Sequence, residues 1–388
     1  VGLPARWKIA VFDVRTGRIQ HDDMPITGIP TFTRQINNEG AISVTIQPQD
    51  PGVPPQTTLR GMLAPWRFGL AVYRGNTIVQ AGPIVDVQVP DNATPQVNVQ
   101  AKGIWGLFTD KRVLVNPTYT LSPTTGGATL ALSAAGDTTY TRMALHDIAA
   151  HLVSDNMSRG TAYQLPIDIP TDVGGTQTRT YALADLAMVG ARLADLTQEV
   201  GGPDIDFKPY FDPANPGYIR WSMRIGNPIL QQAGAQLFFD QLSSFETFGV
   251  DVNGANLATD VILKGTSSTN APTAVMSQST TLTAGGYPAL DMVDSSHNDS
   301  ADPVTMQGWA DGDLALYSYN VETWTSLVRI DANAPDISSY DPGTYATFTV
   351  SQHWWEPPGQ YQQRILGFSQ GTTQDNMAVI LQAVQGML

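Results

Sequence analysis

The chain reads as mainly β with an α+β insertion, and three observations carry that reading. Strand-sized apolar runs recur at intervals of about 10 residues. Gly, Pro and Asn punctuate them. Charged residues form only 14% of the 388 positions, against roughly a quarter in an ordinary domain. Thr, Gln, Asn and Gly take their place, a composition suited to turn-rich β-structure with neutral polar faces.

Residues 1–105 are expected to form an N-terminal antiparallel barrel or sandwich. Ile9 to Val14 runs into the turn Arg15-Thr16-Gly17, Ile42-Val44-Ile46 alternates, and Phe68-Leu70-Val72, Ile78-Val79, Ile84 to Val89 and Val97-Val99 follow. Tyr73-Arg74-Gly75-Asn76-Thr77 reads as a hairpin turn, because Gly and Asn tolerate positive φ.

Residues 106–202 are expected as the α+β insertion, with two helices. Leu121 to Thr139 reads as a loop or arm. Asp137 or Thr138 then caps a helix carrying Leu145, Ile148, Ala149, Leu152 and Val153 at helical spacing. After Thr180, the residues Leu183, Leu186, Ala187, Gly190, Leu193 and Leu196 form a second apolar stripe that Gly201-Gly202-Pro203 ends.

Strand patterns resume in 203–264, a β segment leading into a second barrel. Residues 265–310 read as a polar, loop-rich insertion with little periodicity, and 311–388 supply C-terminal strands that complete the second barrel. A second barrel is suggested by a faint internal repeat. Thr31-Phe32, Ile36-Asn37 and Thr45-Ile46 match Thr247-Phe248, Val252-Asn253 and Val261-Ile262 at a constant offset. The series Phe68-Leu70-Val72, Gly82-Pro83-Ile84, Val97-Val99 has the order of Phe348-Val350, Arg364 to Gly367, Val379 to Leu381.

Net charge is −14, from 21 basic and 35 acidic residues. Arg67, Arg74, Lys102, Lys111 and Arg112 are the nearest approach to a basic cluster, so direct nucleic-acid binding and attraction to anionic membranes are both disfavoured. No cysteine is present, which excludes disulfides and thiolate chemistry. No apolar run approaches the roughly 20 residues that span a bilayer, and Val1 to Val14 lacks a signal-peptide pattern, so a cytoplasmically made, soluble chain without membrane insertion is expected.

Candidate chemistry is sparse, and no catalytic, cofactor or metal residue is assigned. His146 and His151 lie five apart on a helix and so point about 140° apart, unlike an i, i+4 ligand pair. Asp291, Asp294, His297, Asp299 and Asp302 are dense in oxygen but match no calcium-loop spacing. Ser351 and Ser243 with His353 or His297 lack the context of an activated nucleophile. Glu199, Asp204 and Asp206 near Trp221 are the best carboxylates for glycoside chemistry. No phosphate-binding glycine loop follows a strand, and Gly174-Gly175 and Gly285-Gly286 read as turns. Trp354 and Trp355, beside Pro357-Pro358, and Trp309 and Trp324 are the candidate interface aromatics. Strand alternation would bury one of Trp354 and Trp355 and expose the other.

The stretches Ala64-Pro65-Trp66-Arg67, Leu70 to Ile78 and Gly82-Pro83-Ile84 resemble the opening domain of minor tail proteins from phages of actinobacteria. Val11 to Gly17 and Lys102 to Arg112 do so as well. Within that group the chain is similar to the baseplate hub, or tail-associated protein, of long-tailed phages. Beyond residue 112 the resemblance rests on the order of elements. It implies a virion structural protein at the tail tip, assembled in the host cytoplasm, with two barrel-like hub domains and no enzymatic activity. It further implies a homotrimer that joins a hexameric distal tail protein, the tape measure protein and tail fibre or tip proteins, with DNA passing through the channel unbound. A hexameric distal tail protein, a carbohydrate-binding adhesin and a glycosidase are the alternatives. Many members continue into long C-terminal extensions, whereas this sequence stops at Leu388, so fibre and lysin functions are expected in neighbouring proteins.

Overall fold

The computed structural model describes residues 6–91, 95–122, 129–130, 132–199, 201–231, 237–268, 271–296, 303–331, 334–382 and 384–385. It is mostly β, with large sheets and helical insertions. The chain divides into two compact units, residues 1–247 with 326–380, and residues 248–325 with 381–388.

The first unit opens with β1 (Trp7–Asp13), β2 (Ile19–His21), β3 (Thr31–Gln35), β4 (Ala41–Ile46), the short α1 (Gln56–Met62), β5 (Phe68–Arg74), β6 (Thr77–Gln88) and β7 (Val97–Lys102). β1, β4, β5, β6 and β7 match the apolar runs, whereas β2, β3 and α1 do not. β1 and β5 are buried along almost their whole length, because both sheet faces are covered, whereas β4 alternates exposed and buried residues. The expected hairpin joins β5 to β6, with Gly75 at φ +59° and Arg74 opposite Thr77. Gly82, in β6, is required sterically, since a Cβ there would stand 1.9 Å from the Lys102 carbonyl oxygen.

The insertion follows as α2 (Ile104–Lys111), β8 (Thr138–Met143), α3 (Leu145–Ser158), β9 (Ile167–Asp168), β10 (Gln177–Tyr181), α4 (Val189–Gln198), β11 (Ile205–Phe211) and β12 (Ile219–Ile225). Both predicted helices form, with shifted starts. Thr138 lies in a strand paired with β10, and Ala144 precedes α3. Leu183 to Asp185 makes a 3-10 turn, and Leu186 then turns left-handed at φ +47°. The break arises because Ala187 and Val189 bond the backbone of Leu114 and Arg112, which holds the approach to α4 extended.

One continuous core ties this insertion to the N-terminal sheet. Phe12, Trp105, Phe108, Leu152, Leu193 and Trp221 all belong to it. Burying a Phe or Leu side chain fully contributes about 1.5–3 kcal/mol. Phe12 and Trp221 sit 5.5 Å apart between ring centroids, and the Trp221 indole donates to the Ala81 carbonyl at 3.3 Å. α2 and α4 approach closely because Gly190 has no side chain, where a Cβ would meet the Thr109 backbone nitrogen at 2.5 Å.

The remaining elements are β13 (Leu237–Asp240), β14 (Phe245–Asn253), β15 (Asp260–Ser268), β16 (Ala271–Gln278), α5 (Thr280–Ala284), β17 (Asp291–Asp294), α6 (Pro303–Tyr317), β18 (Val321–Arg329), β19 (Tyr345–Val350), β20 (Gly359–Gln370), β21 (Asn376–Leu381) and β22 (Val384–Gln385). The chain leaves the first unit within β14 and re-enters it within β18. In the second unit, β15 lies between β16 and β17, and Val261 and Leu263 pack with Met306 and Ala310 of α6. The stretch expected as a loop-rich connection thus holds a hairpin strand, a short helix and a third strand. Its strands escaped notice because the packing is carried by β15 and α6, while half of the residues of β16 and β17 are Ala, Ser, Thr or Asp. No helix among the described residues is long and apolar enough to cross a membrane.

The large sheet contains the same strand order twice. One run is β3-β4-β7-β6-β5-β1, and the other is β14-β18-β21-β20-β19-β13, the two meeting where β20 pairs with β3. Strands β6 and β20, at corresponding places, are both 12 residues long. Four of the sequence matches fall on corresponding strands: β3 with β14, β5 with β19, β6 with β20, and β7 with β21. The match of Ile36-Asn37 to Val252-Asn253 sets a turn against the end of β14, and that of Thr45-Ile46 to Val261-Ile262 sets β4 against β15. For the latter, the corresponding strand is β18, because residues 254–320 are inserted where the first run has only the Ile36 to Gly40 turn. The runs also differ at one edge, where β1 pairs antiparallel with β5 but β13 pairs parallel with β19. Among the described residues the strand path is open-ended.

Candidate interaction surface

The acidic candidates are committed to internal ion pairs. Asp206, on β11, accepts from Arg34 of β3 in a bidentate pair at 2.9 and 2.5 Å, with both side chains at most 4% exposed. Arg224 of β12 adds a third bond to Asp206 at 3.1 Å, and Asp341 approaches Arg34 at 3.4 Å and also pairs with Lys208. Burial pushes the Asp206 carboxyl up, but the charges of Arg34 and Arg224 outweigh it and hold the group below the usual carboxylate range. Asp204 pairs with Arg364 and accepts the Leu230 amide at 2.9 Å, while Glu199 pairs with Arg179. Trp221 is wholly buried. Glu199, Asp204 and Asp206 are therefore pinned by arginines, an arrangement that locks distant chain segments together.

The histidines are equally local. His146 is buried with Nδ1 at 2.9 Å from Asp147, and His151 reaches Asp172 at 3.2 Å. Asp147 also accepts the Val173 and Gly174 amides at 2.8 Å, and these bonds, against the upward push of burial, hold its carboxyl low. That anchors the Gly174-Gly175 turn, with Gly174 at φ +78°. The His353 imidazole accepts the Glu356 amide at 2.9 Å. Asp291 and Asp294 lie on β17, while His297, Asp299 and Asp302 lie outside the described residues. Among the described residues no group of three or more His, Asp or Glu side chains could hold a metal ion.

What the first unit does present is apolar surface. Trp354 is 92% exposed and Trp355 55%, so the expected alternation fails: residues 351–358 form an irregular turn between β19 and β20 rather than strand. The two rings stand 6.0 Å apart. Gln241 braces this turn against the one following β13. Its side chain donates to the Gln352 carbonyl at 2.7 Å and accepts the Ser351 and Gln352 amides at 2.7 and 2.8 Å. On the braced turn Leu242 is 81% exposed, and Phe238 of β13 points outward. A pair of polar-braced turns thus carries three large apolar side chains into solvent, beside Phe238 on the adjoining strand. Gln241, Leu242 and Phe238 were invisible as a site in the sequence, since nothing local links them to residues more than a hundred positions away.

Trp324 and Trp309 are placed differently. Trp324, on β18, is 3% exposed, packs edge-on to Phe248 at 4.7 Å and donates to Glu322. Trp309, on α6, packs against the Val261-Leu263 cluster and is only partly buried.

The fold is shared with solved tail proteins. The 43 kDa tail protein of prophage MuSo2 from Shewanella oneidensis has 12% identity with this chain, covering 98% of each chain at a TM-score of 0.56. The tail protein from Neisseria meningitidis has 10% identity, covering 97% of this chain and 96% of that one at a TM-score of 0.53. No family model and no curated protein matches the sequence.

Proposed function

We propose that the chain is a structural protein of the virion, the baseplate hub at the tail tip of a long-tailed phage, acting by shape rather than by chemistry. The doubled strand order of the large sheet carries this reading. Three copies of a chain with two similar modules offer six related surfaces, which is what a three-fold hub needs in order to dock on a six-fold ring. Each six-strand run is then one hub barrel. The ring is the distal tail protein, and the tape measure protein and fibre or tip proteins are the other partners. The resemblance of the N-terminal segment to actinobacterial phage tail proteins points the same way.

Trp354 and Trp355, with Leu242 and Phe238, form the contact between neighbouring copies of the chain in this reading. Trp rings so exposed lose most when truncated if a partner covers them. Analytical ultracentrifugation of W354A/W355A tests it: the variant sediments as a folded monomer while the native chain self-associates. A variant that assembles like the native chain would contradict the assignment. The same exposed tryptophans favour one second reading, a carbohydrate-binding adhesin, which requires cell-wall glycan binding that W354A/W355A abolishes in a protein that remains monomeric.

A further inference from the structure

Part of the weak basic cluster in the sequence is brought together by the fold. Arg74 and Lys102 are neutralised elsewhere, by Asp375 and by Glu39 with Asp110. Arg67 and Arg112, in contrast, line a cavity of about 380 Å³ together with Arg15, Trp66, Leu107 and Leu165. Among the described residues, none of Arg15, Arg67, Lys111, Arg112 and Arg159 has a carboxylate partner. The cavity's one acidic side chain, Asp13, already accepts the Thr16 amide and hydroxyl at 2.8 Å. In a chain of net charge −14, this is an unusual local excess of positive charge.

The cations are held in place without anions. The guanidinium groups of Arg112 and Arg159 share the Tyr163 ring at 4.7 and 4.5 Å, and Lys111 lies 4.8 Å over Trp66. Burial, together with the nearby Arg159 charge, makes the Arg112 cation less favourable than usual. Trp66 itself is left-handed at φ +63°, a conformation costly for a bulky residue and typical of positions whose geometry is overdetermined by their surroundings. Helix-end carbonyls explain why Lys111, Arg112 and Arg159 sit at the ends of α2 and α3. They do not explain why Arg15 and Arg67 converge there from two separate turns.

We propose that this pocket binds a carboxylate carried on an acidic protein segment. Planar guanidinium groups match a carboxylate, and the walls formed by Trp66, Leu107 and Leu165 match an aliphatic stem, which a hydrated inorganic anion would leave uncovered. A nucleic acid, charged at every phosphate, is disfavoured by the net charge of −14 on the chain.

The test titrates the full chain, by calorimetry, with a capped peptide of alternating Glu and Leu, its Gln counterpart and inorganic phosphate. The Glu peptide is expected to bind and the Gln peptide not to. R67Q/R112Q should weaken binding by about tenfold or more, the usual effect of losing charge-assisted hydrogen bonds. R142Q/K264Q, which removes equal charge elsewhere, should leave it unchanged. If R67Q/R112Q melts early, R15Q/R67Q, altering two exposed side chains, carries the same expectation. No binding of the Glu peptide, undiminished binding by the arginine variants, or phosphate binding as tight as the peptide would each overturn the proposal.

Discussion

Arg34 and Asp206 meet in a buried bidentate pair although 172 residues separate them in the chain. The pair joins β3 of the first strand run to β11 of the insertion, and Asp341 extends it to the segment before β19. Removing one member leaves the other buried with only its secondary partner, Arg224 for Asp206 or Asp341 for Arg34, a loss of up to about 3–5 kcal/mol. D206N or R34M should therefore lower unfolding free energy by that order in urea titrations. The double replacement R34L/D206L should cost less than the sum of the single changes, because the remaining Arg224 and Asp341 still pair with each other at 3.9 Å and Asp341 with Lys208.

Acid sensitivity follows from the same carboxyl. Asp206 titrates lower in the folded chain than in the unfolded one, as does Asp168 beside Arg220 and Tyr210. Each therefore adds stability that is fully present above the unfolded value of about 3.9 and is lost as pH falls through the folded value. Urea midpoints should hold near neutral pH and decline below about pH 4. In D206N the decline should be shallower, since one linked proton is gone.

Two glycine substitutions should have opposite signs. In G82A the new methyl would collide with the rigid Lys102 carbonyl, and overpacking of this kind costs about 1–3 kcal/mol or more. In G61A, inside α1 with open space around the position, the change should stabilise by about 0.4–1 kcal/mol. Thermal melts of the two variants read both outcomes.

Residues 254–320 occupy the place of a five-residue turn in the first strand run. Replacing them with an Asn-Gly hairpin turn should leave the first unit folded, with cooperative unfolding and near-native tryptophan fluorescence. Loss of cooperative unfolding would show that the β14-β18 pairing depends on the inserted segment.

Much of the strand content was legible because half-buried strands impose a period of two, as in β4. β18 carries no clean apolar alternation, because its buried face mixes Glu322 and Ser326 with Trp324 and Val328. The start of α4 was misjudged because a long-range bridge, not local propensity, sets Leu186. Asp206 was singled out as a polar residue of interest, but its role depends on Arg34, Arg224 and Asp341, and no local pattern announces partners that far away. Trp354 and Trp355 were legible as candidates. Their joint exposure was not, because it depends on where β19 stops.

The most direct measurement is the native mass of the purified full-length chain. A species of three times the chain mass, with a two-fold repeat within each subunit in projection images, is the expected result. A six-fold assembly would favour the distal tail protein instead, and a stable monomer that turns over a substrate would contradict the structural role altogether.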